Sequence, residues 1–352
     1  MKTHYLKPVK VGMKKTIVKY LVEHGVDINI ISRSNETSIF NACKSGNEAM
    51  VKYLVEQGID INQENWAMET PLFNACKSGN EAMVKYLVEL GADINQENWN
   101  RETLLFSACK SGNKALVKHL VEQGLNVNKT YKNGENPLFK ASKSGNKAIV
   151  KCLVEHGADI NQEKWNGETP LFGENPFFWE TPFFGACESG NKAIVKFLVE
   201  QGLNVNQTNK YDETPLFIST NNGYVEIAKY LIEHGADIDK TNKYGDTLLS
   251  LACKRGNIII VKYLVEHGAD IIEPYRDGET PLFASYKNGN ETVMKCLIEL
   301  GANVEETNTY GEALLLKVCE NENEVMVKFL IEHGAKINTV SKYGETPLFI
   351  AC

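Results

Sequence analysis

The sequence predicts an all-α fold, an α-solenoid of stacked helix pairs joined by short β-hairpin loops. Three observations lead there. A 33-residue phrase, read most clearly over Glu69–Arg101 as ETPLFNACKSGNEAMVKYLVELGADINQENWNR, recurs with small edits along nearly the whole chain. Each copy holds two short segments of helical period, each opened by a capping residue and closed by glycine. A chain of 352 residues exceeds what one core usually holds, so it needs several domains or an elongated array, and the constant period selects the array.

Within the phrase, Thr70 is expected to cap the first helix, its hydroxyl accepting from a first-turn N–H. Pro71 suits the first helical position, and Glu69 places negative charge at the positive end of the helix dipole. Leu72, Ala75 and Cys76 form an apolar stripe, and Gly79 ends the helix in a left-handed conformation. Asn80 caps the second helix, which buries Met83, Val84, Leu87 and Val88 and turns Lys85 and Glu89 outward. Gly91 closes it. The tail from Ala92 to Arg101 is polar and loops out before the next cap. One such pair is too small to bury its own faces, so it must stack on its neighbours.

A 33-residue unit with Thr70-Pro71-Leu72-Phe73 at the first cap, then Gly79, then Gly91-Ala92-Asp93-Ile94-Asn95, resembles the ankyrin repeat, and the resemblance covers nearly the whole chain. One departure is consistent. Family members usually carry His where this chain has Phe40, Phe73, Phe106, Phe139, Phe184, Phe217, Phe283 and Phe349, so aromatic packing must replace a polar contact. The resemblance implies a non-enzymatic protein-binding scaffold or adaptor that grips partners with hairpin tips and first-helix ends. It also implies that a tail Asn such as Asn95 or Asn161 could be hydroxylated, against a purely structural role for it.

In order along the chain, residues 1–352 read as one array. Residues 1–35 form a degenerate first repeat, its first helix interrupted by Pro8 and Gly12 and its second running from Thr16. Full repeats follow at 36–68, 69–101, 102–134, 135–167, 168–212, 213–245, 246–278, 279–311 and 312–344, and an incomplete one at 345–352. The fifth carries a 12-residue insertion, Thr169–Glu180, in which the openings at Thr169, Asn175 and Thr181 succeed one another and only Thr181 leads into a full helix. The insertion reads either as a duplication or as an apolar partner-binding finger. The repeat at 312–344 is expected to open more easily, because Ala313 removes the cap hydroxyl, Leu314 replaces proline, and Glu322 stands where a helix-ending glycine should be.

The nine cysteines do not read as disulfides or metal ligands. Cys43, Cys76, Cys109, Cys187, Cys253, Cys319 and Cys352 share one position of the repeat, where other copies carry Ser142, Thr220 and Tyr286. Cys152 and Cys296 share a second, where others carry Tyr or Phe. Such positions are packing slots, and free thiols suit a reducing, cytoplasmic compartment. A net charge of -7 argues against nucleic acid as partner. No apolar run approaches the ~20 residues of a membrane span; the longest, near Ile258–Val265, is broken by Lys262. No catalytic, cofactor or metal constellation emerges. His156, His234 and His267 recur at one repeat position, about 10 Å apart, too far to share an ion.

What packing leaves unexplained is at the tips. Trp66, Trp99, Trp165 and Trp179 lie outside the expected helices, as do Tyr131, Tyr211, Tyr244, Tyr275, Tyr310 and Tyr343. Aromatic residues there have little core to fill and are favoured as interface anchors. Beside them Lys44, Lys77, Lys110 and Lys143 end successive first helices. The four tryptophans, Tyr211, Tyr244, Tyr310 and Tyr343, which fall three or four residues before a cap, and the four lysines are the candidate partner-binding surface, of an array expected to be monomeric. The other reading of the rings is that they stack on one another and stiffen the array. Two further functional readings stay open: a targeting segment of a larger enzyme or channel, and a recently expanded array with little selected function.

Overall fold

The computed structural model describes residues 6–131, 134–162, 181–275, 278–308 and 310–352, with side chains from residue 15. Every regular element among them is a helix. The first is α1 (Leu6–Glu23), followed by the pairs α2 (Ser38–Lys44) with α3 (Glu48–Glu56) and α4 (Pro71–Ser78) with α5 (Glu81–Glu89). The same build continues with Leu104–Ser111 and Lys114–Glu122, Pro137–Lys143 and Lys147–Glu155, and Pro182–Glu188 and Lys192–Glu200. Then come Pro215–Asn221 and Val225–Glu233, Leu248–Arg255 and Ile258–Glu266, Pro281–Lys287 and Glu291–Glu299, and Leu314–Glu320 and Glu324–Glu332, with Pro347–Ala351 last. Single β-bridges such as Glu97 with Thr103 and Thr241 with Thr247 close several tips.

The chain forms two compact units, Met1–Ser189 and Gly190–Cys352. The division falls between the two helices of the repeat expected over 168–212. The insertion Thr169–Glu180 of that repeat lies outside the described residues.

In the first unit α2 packs on α4, and α4 on Leu104–Ser111, so first helices stack on first helices. Leu72, Phe73, Ala75 and Cys76 are fully buried in that stack, as are Met83, Val84 and Leu87 on α5, while Val88 is half-buried. The phenylalanines that stand in for His are core residues from Phe40 to Phe283; Phe349 on the last helix is exposed. In the second unit Pro215–Asn221 packs on Leu248–Arg255, and that helix on Pro281–Lys287.

The second helices start as expected. Asn80 Oδ1 accepts from the Met83 amide at 3.1 Å, and Asn47, Asn113, Asn146, Asn191, Asn257 and Asn323 do the same. The cap also staples repeats together, because Asn113 Nδ2 donates to the Gly79 carbonyl at 2.7 Å. Tyr224 occupies this cap position and does not cap through its side chain; its ring is so close to Gly190 that an added Cβ there would lie 2.8 Å from it. Gly79 and Gly91 take the left-handed conformation, at φ 69° and 90°.

Two expectations are corrected. Thr70 does not cap through its hydroxyl, which is buried without a partner; the Phe73 amide bonds the Thr70 carbonyl instead, at 3.0 Å. Thr103, Thr214, Thr247 and Thr280, at the same position of later repeats, do cap through their hydroxyls. The first helix is not interrupted: α1 runs through Pro8 and Gly12, Pro8 falling in a first turn whose N–H groups have no helical acceptor to lose. Between second helices, Lys52 stands 5.5 Å over the Tyr86 ring of the next repeat, and Lys196, Lys229 and Lys295 cover Tyr230, Tyr263 and Phe329 in the same register.

Eight cysteines are buried and free, and only Cys352 is exposed. Burial pushes the Cys43 thiol up to about 12 and raises Cys76, Cys109 and Cys253 further, so these are inert packing groups. Ser142 and Thr220 sit in the same slot with their hydroxyls buried and unbonded, as an apolar slot requires. Tyr286 is too large for it and reaches the next repeat, donating to the Lys317 carbonyl at 2.7 Å and accepting from Asn321. In the repeat at 312–344 Ala313 has no side-chain cap, the Leu316 amide bonding only its carbonyl at 3.1 Å, and Glu322 takes a left-handed φ of 55°. Lys317 offsets part of this by pairing with Glu312 and Glu320, each at 3.0 Å.

Candidate partner-binding surface

The tip before each first helix is built on one asparagine. Asn98 Oδ1 accepts from the Asn100 and Glu102 amides at 3.0 and 2.9 Å, which closes the turn. Its Nδ2 donates to Glu69 Oε1 of the preceding tip at 3.1 Å, which links neighbours. Glu102 is buried and accepts from Ser107 Oγ at 2.8 Å and Lys110 Nζ at 3.0 Å. The lysine at the end of the first helix is therefore wired to the tip through a carboxylate and an asparagine. Asn65, Asn209, Asn242 and Asn308 repeat the turn closure. Sequence reasoning passed over this device, although an Asn four residues before an Asp or Glu, with a Lys eight further on, is legible at 65–77, 98–110 and 242–254.

The lysines are thereby mostly neutralised. Lys77 pairs with Glu69 at 2.5 Å, Lys110 with Glu102, and Lys143 with Glu188 of the neighbouring first helix at 3.0 Å. They bound the surface as paired, positioned ammonium groups rather than as a free basic stripe. Lys44 is exposed and pairs with no carboxylate among the described residues, although Glu36 stands eight residues before it as Glu69 does before Lys77.

The rings fall into three sets. Trp66 and Trp99, four residues before their caps, stand on successive tips and are 74% and 69% exposed. Each Trp backbone N–H bonds the preceding tip, Trp66 to Ser34 O at 3.2 Å and Trp99 to Ala67 O at 2.8 Å. The Trp66 indole N–H donates to Arg33 O at 2.9 Å, so its polar edge is held and its face is open. Tyr211, Tyr244, Tyr310 and Tyr343, three before theirs, belong to the second unit. Tyr211 is half-buried and stacks on Tyr244 at 5.9 Å, while Tyr310 and Tyr343 stand well exposed. Lys210 and Lys342 lie over the Tyr211 and Tyr343 rings at 4.6 and 5.0 Å.

Tyr131 and Tyr275, five before their caps, turn inward instead. Tyr131 stacks on Phe106 at 5.2 Å. Tyr275 is 6% exposed, donates to Glu279 Oε2 at 2.7 Å, and carries Lys254 Nζ 4.5 Å over its ring. Burial first, and the bond to Glu279 second, raise its phenol well above the ordinary range. Trp165 and Trp179 lie outside the described residues.

Among the described residues no group of three or more His, Cys, Asp or Glu could hold a metal ion, and no helix is long and apolar enough to cross a membrane. His156, His234 and His267 each bond the carbonyl four residues back through Nδ1, at 2.7 to 2.8 Å, and so finish their own helices. The tail asparagines work similarly between repeats: Asn128 Oδ1 accepts from the Asp159 amide and Asn206 Oδ1 from the Asp237 amide, both at 2.8 Å.

A family model described as ankyrin repeats (3 copies) matches residues 9–98, 59–131, 105–173, 171–242, 237–308 and 284–352. Among solved structures, the crystal structure of the human ASB11 ankyrin repeat domain is similar, with 26% identity and a TM-score of 0.58. The match covers 67% of this chain and 99% of that one. No curated protein matches.

Proposed function

Because the chain belongs to the ankyrin repeat family, whose arrays are generally protein–protein interaction modules, we propose that it is a non-enzymatic scaffold or adaptor holding a protein partner on its hairpin tips and first-helix ends. The observation that carries this reading is the pair Trp66 and Trp99. Two large rings on successive tips keep their faces in solvent, although one has its N–H bonded to the scaffold. An aromatic face fixed before binding loses little side-chain entropy on contact, which is what an interface anchor needs. Lys77, Lys110 and Lys143 flank it as positioned charges, and Tyr211, Tyr244, Tyr310 and Tyr343 offer the corresponding contacts in the second unit. The net charge of -7 disfavours nucleic acid as the partner. Eight buried free thiols support a reducing, intracellular compartment.

The test is capture from lysate with the intact chain and with the Trp66→Ala, Trp99→Ala double variant. Loss of at least one partner from the variant is expected. Unchanged retention of every partner would remove the tips from the reading.

A further inference from the structure

The tips also restrict the chemistry of their partner, a restriction that rests on the function proposed above. Every backbone N–H of the Trp66 tip, residues 65–69, is already bonded within the chain, to Glu69 O, Ser34 O, Asn65 O or Asn65 Oδ1. The same holds for residues 98–102, whose N–H groups bond Glu102 O, Ala67 O, Asn98 O or Asn98 Oδ1. A partner strand needs free N–H and C=O groups in alternation, so these tips offer it no edge. The Trp66 indole N–H is taken too, by Arg33 O at 2.9 Å. The Trp66 tip therefore presents an open ring face rather than a donor. The backbone also sets the step between the two rings. Trp99 N–H bonds Ala67 O at 2.8 Å, and Ala67 follows Trp66. By standard chain dimensions the two ring-bearing Cα atoms then lie no more than about 10 Å apart. Stacked helices, which carry the tips, step by about 8–10 Å.

We propose that Trp66 and Trp99 bind a proline-rich segment of a partner protein in the polyproline II conformation, one proline ring on each indole face. That conformation has three residues per turn and rises ~3.1 Å per residue, so prolines three apart recur on one side every ~9 Å, the step between the tips. A β-strand repeats a face every ~7 Å and misses it. An α-helix reaches it only with anchors seven residues apart, at ~10.5 Å. The residues between those anchors would then press on the polar link that joins the tips, Asn98 Nδ2 to Glu69 Oε1 at 3.1 Å. In polyproline II the two intervening residues point away. Proline also suits tips whose donors are spent. It brings no N–H that needs an acceptor, and its φ is set before contact, as the Trp66 ring is.

The probe is a fluorescein-labelled peptide with four prolines, one at every third residue, and glutamine between them. Anisotropy titrations use the full chain. Saturable binding is expected, at least about fivefold tighter than that of a peptide with its four prolines at every fourth residue. Trp66→Ala or Trp99→Ala should each weaken it about tenfold, and Trp66→Phe, which keeps a ring face, about threefold. Lys118→Ala, on the outer face of a second helix, should change nothing. Both tryptophans are exposed, and circular dichroism verifies that the variants fold. Absence of binding, equal binding of the two proline spacings, or indifference to both alanine variants overturns the proposal. So does tighter, tryptophan-dependent binding of a stapled helical peptide with leucines seven residues apart, which would give the tips to a helix. Each of these outcomes leaves the reading of the tips standing, because capture from lysate does not depend on the partner's conformation; only unchanged retention there removes it.

Discussion

Trp66 and Trp99 stand four residues before their helix caps and face solvent; Tyr131 and Tyr275 stand five before theirs and turn into the protein. One residue of register separates a candidate interface from a piece of core. The inward position is the one that asparagine fills elsewhere, as Asn98 does, and its side chain points back at the turn. Tyrosine there follows the same direction and becomes a strut, buried at Tyr275 and half-buried against Phe106 at Tyr131. The two inward tips share a further tie that the tryptophan tips do not show: their caps bond the tail of the following segment, Asn136 to Gln162 at 2.8 Å and Thr280 to Glu306. Aromatic content alone therefore says little about a tip; the position of the ring relative to the cap decides its use.

The largest effect expected from breaking this contrast is at Tyr275. Tyr275→Ala removes a buried ring, its bond to Glu279 and the seat of Lys254, and should cost about 3 kcal/mol in urea denaturation. A loss within about 0.5 kcal/mol, the scale of an ordinary surface change, would mean that the inward ring is not structural. Asn98→Ala comes next. It unties two tip amides and the link to Glu69, and should cost about 2 kcal/mol by the same measurement.

Glu306 gives the inward tip a pH dependence. Burial raises its carboxyl to about 7, with the Thr280 hydroxyl bond pulling the other way. Over the interval between the ordinary carboxylate value of 4.5 and about 7, the folded protein holds a proton that the unfolded chain has released. Its contribution to stability is therefore present at low pH and lost as pH rises through about 7. Glu306→Gln keeps an acceptor for Thr280, as Gln162 does for Asn136, and should flatten this part of the curve. Urea midpoints at about pH 5 and about pH 8 measure it, and an unchanged difference between them would contradict the assignment.

The smallest stability effect belongs to the outward rings. Trp66→Ala and Trp99→Ala should each alter stability by no more than about 0.5 kcal/mol, while the pair abolishes or strongly weakens partner capture. A large loss of stability would place these rings among the struts with Tyr275.

Much of the scaffold was legible in the sequence because the repeat states each instruction many times. Gly79 and Gly91 end helices as read, Asn80 caps, and the cysteines fill an apolar slot. Thr70 shows where legibility stops: the same threonine caps through its hydroxyl at Thr103 and through its carbonyl alone at Thr70, a choice of rotamer that no letter records. The site was legible in part. Trp66 and Trp99 were found because nothing in the helices could use them. The lysines were found, but not their carboxylates, because Lys110 and Glu102 meet across a loop-to-helix turn rather than along one helix. Tyr131 and Tyr275, five residues before their caps, lie outside the helices like the other rings but were not among the candidate residues, and what they do instead was not legible, because nothing in the letters says that the fifth position turns inward.

The most direct test of the tip reading is position-specific photo-crosslinking in native lysate. Benzoyl-phenylalanine replaces Trp99 in one chain and Lys118, on the outer face of its second helix, in another. Partner adducts from position 99 and few or none from 118 are predicted. Adducts that form equally at 118, or not at all at 99, would contradict the claim that the partner is held on the tips.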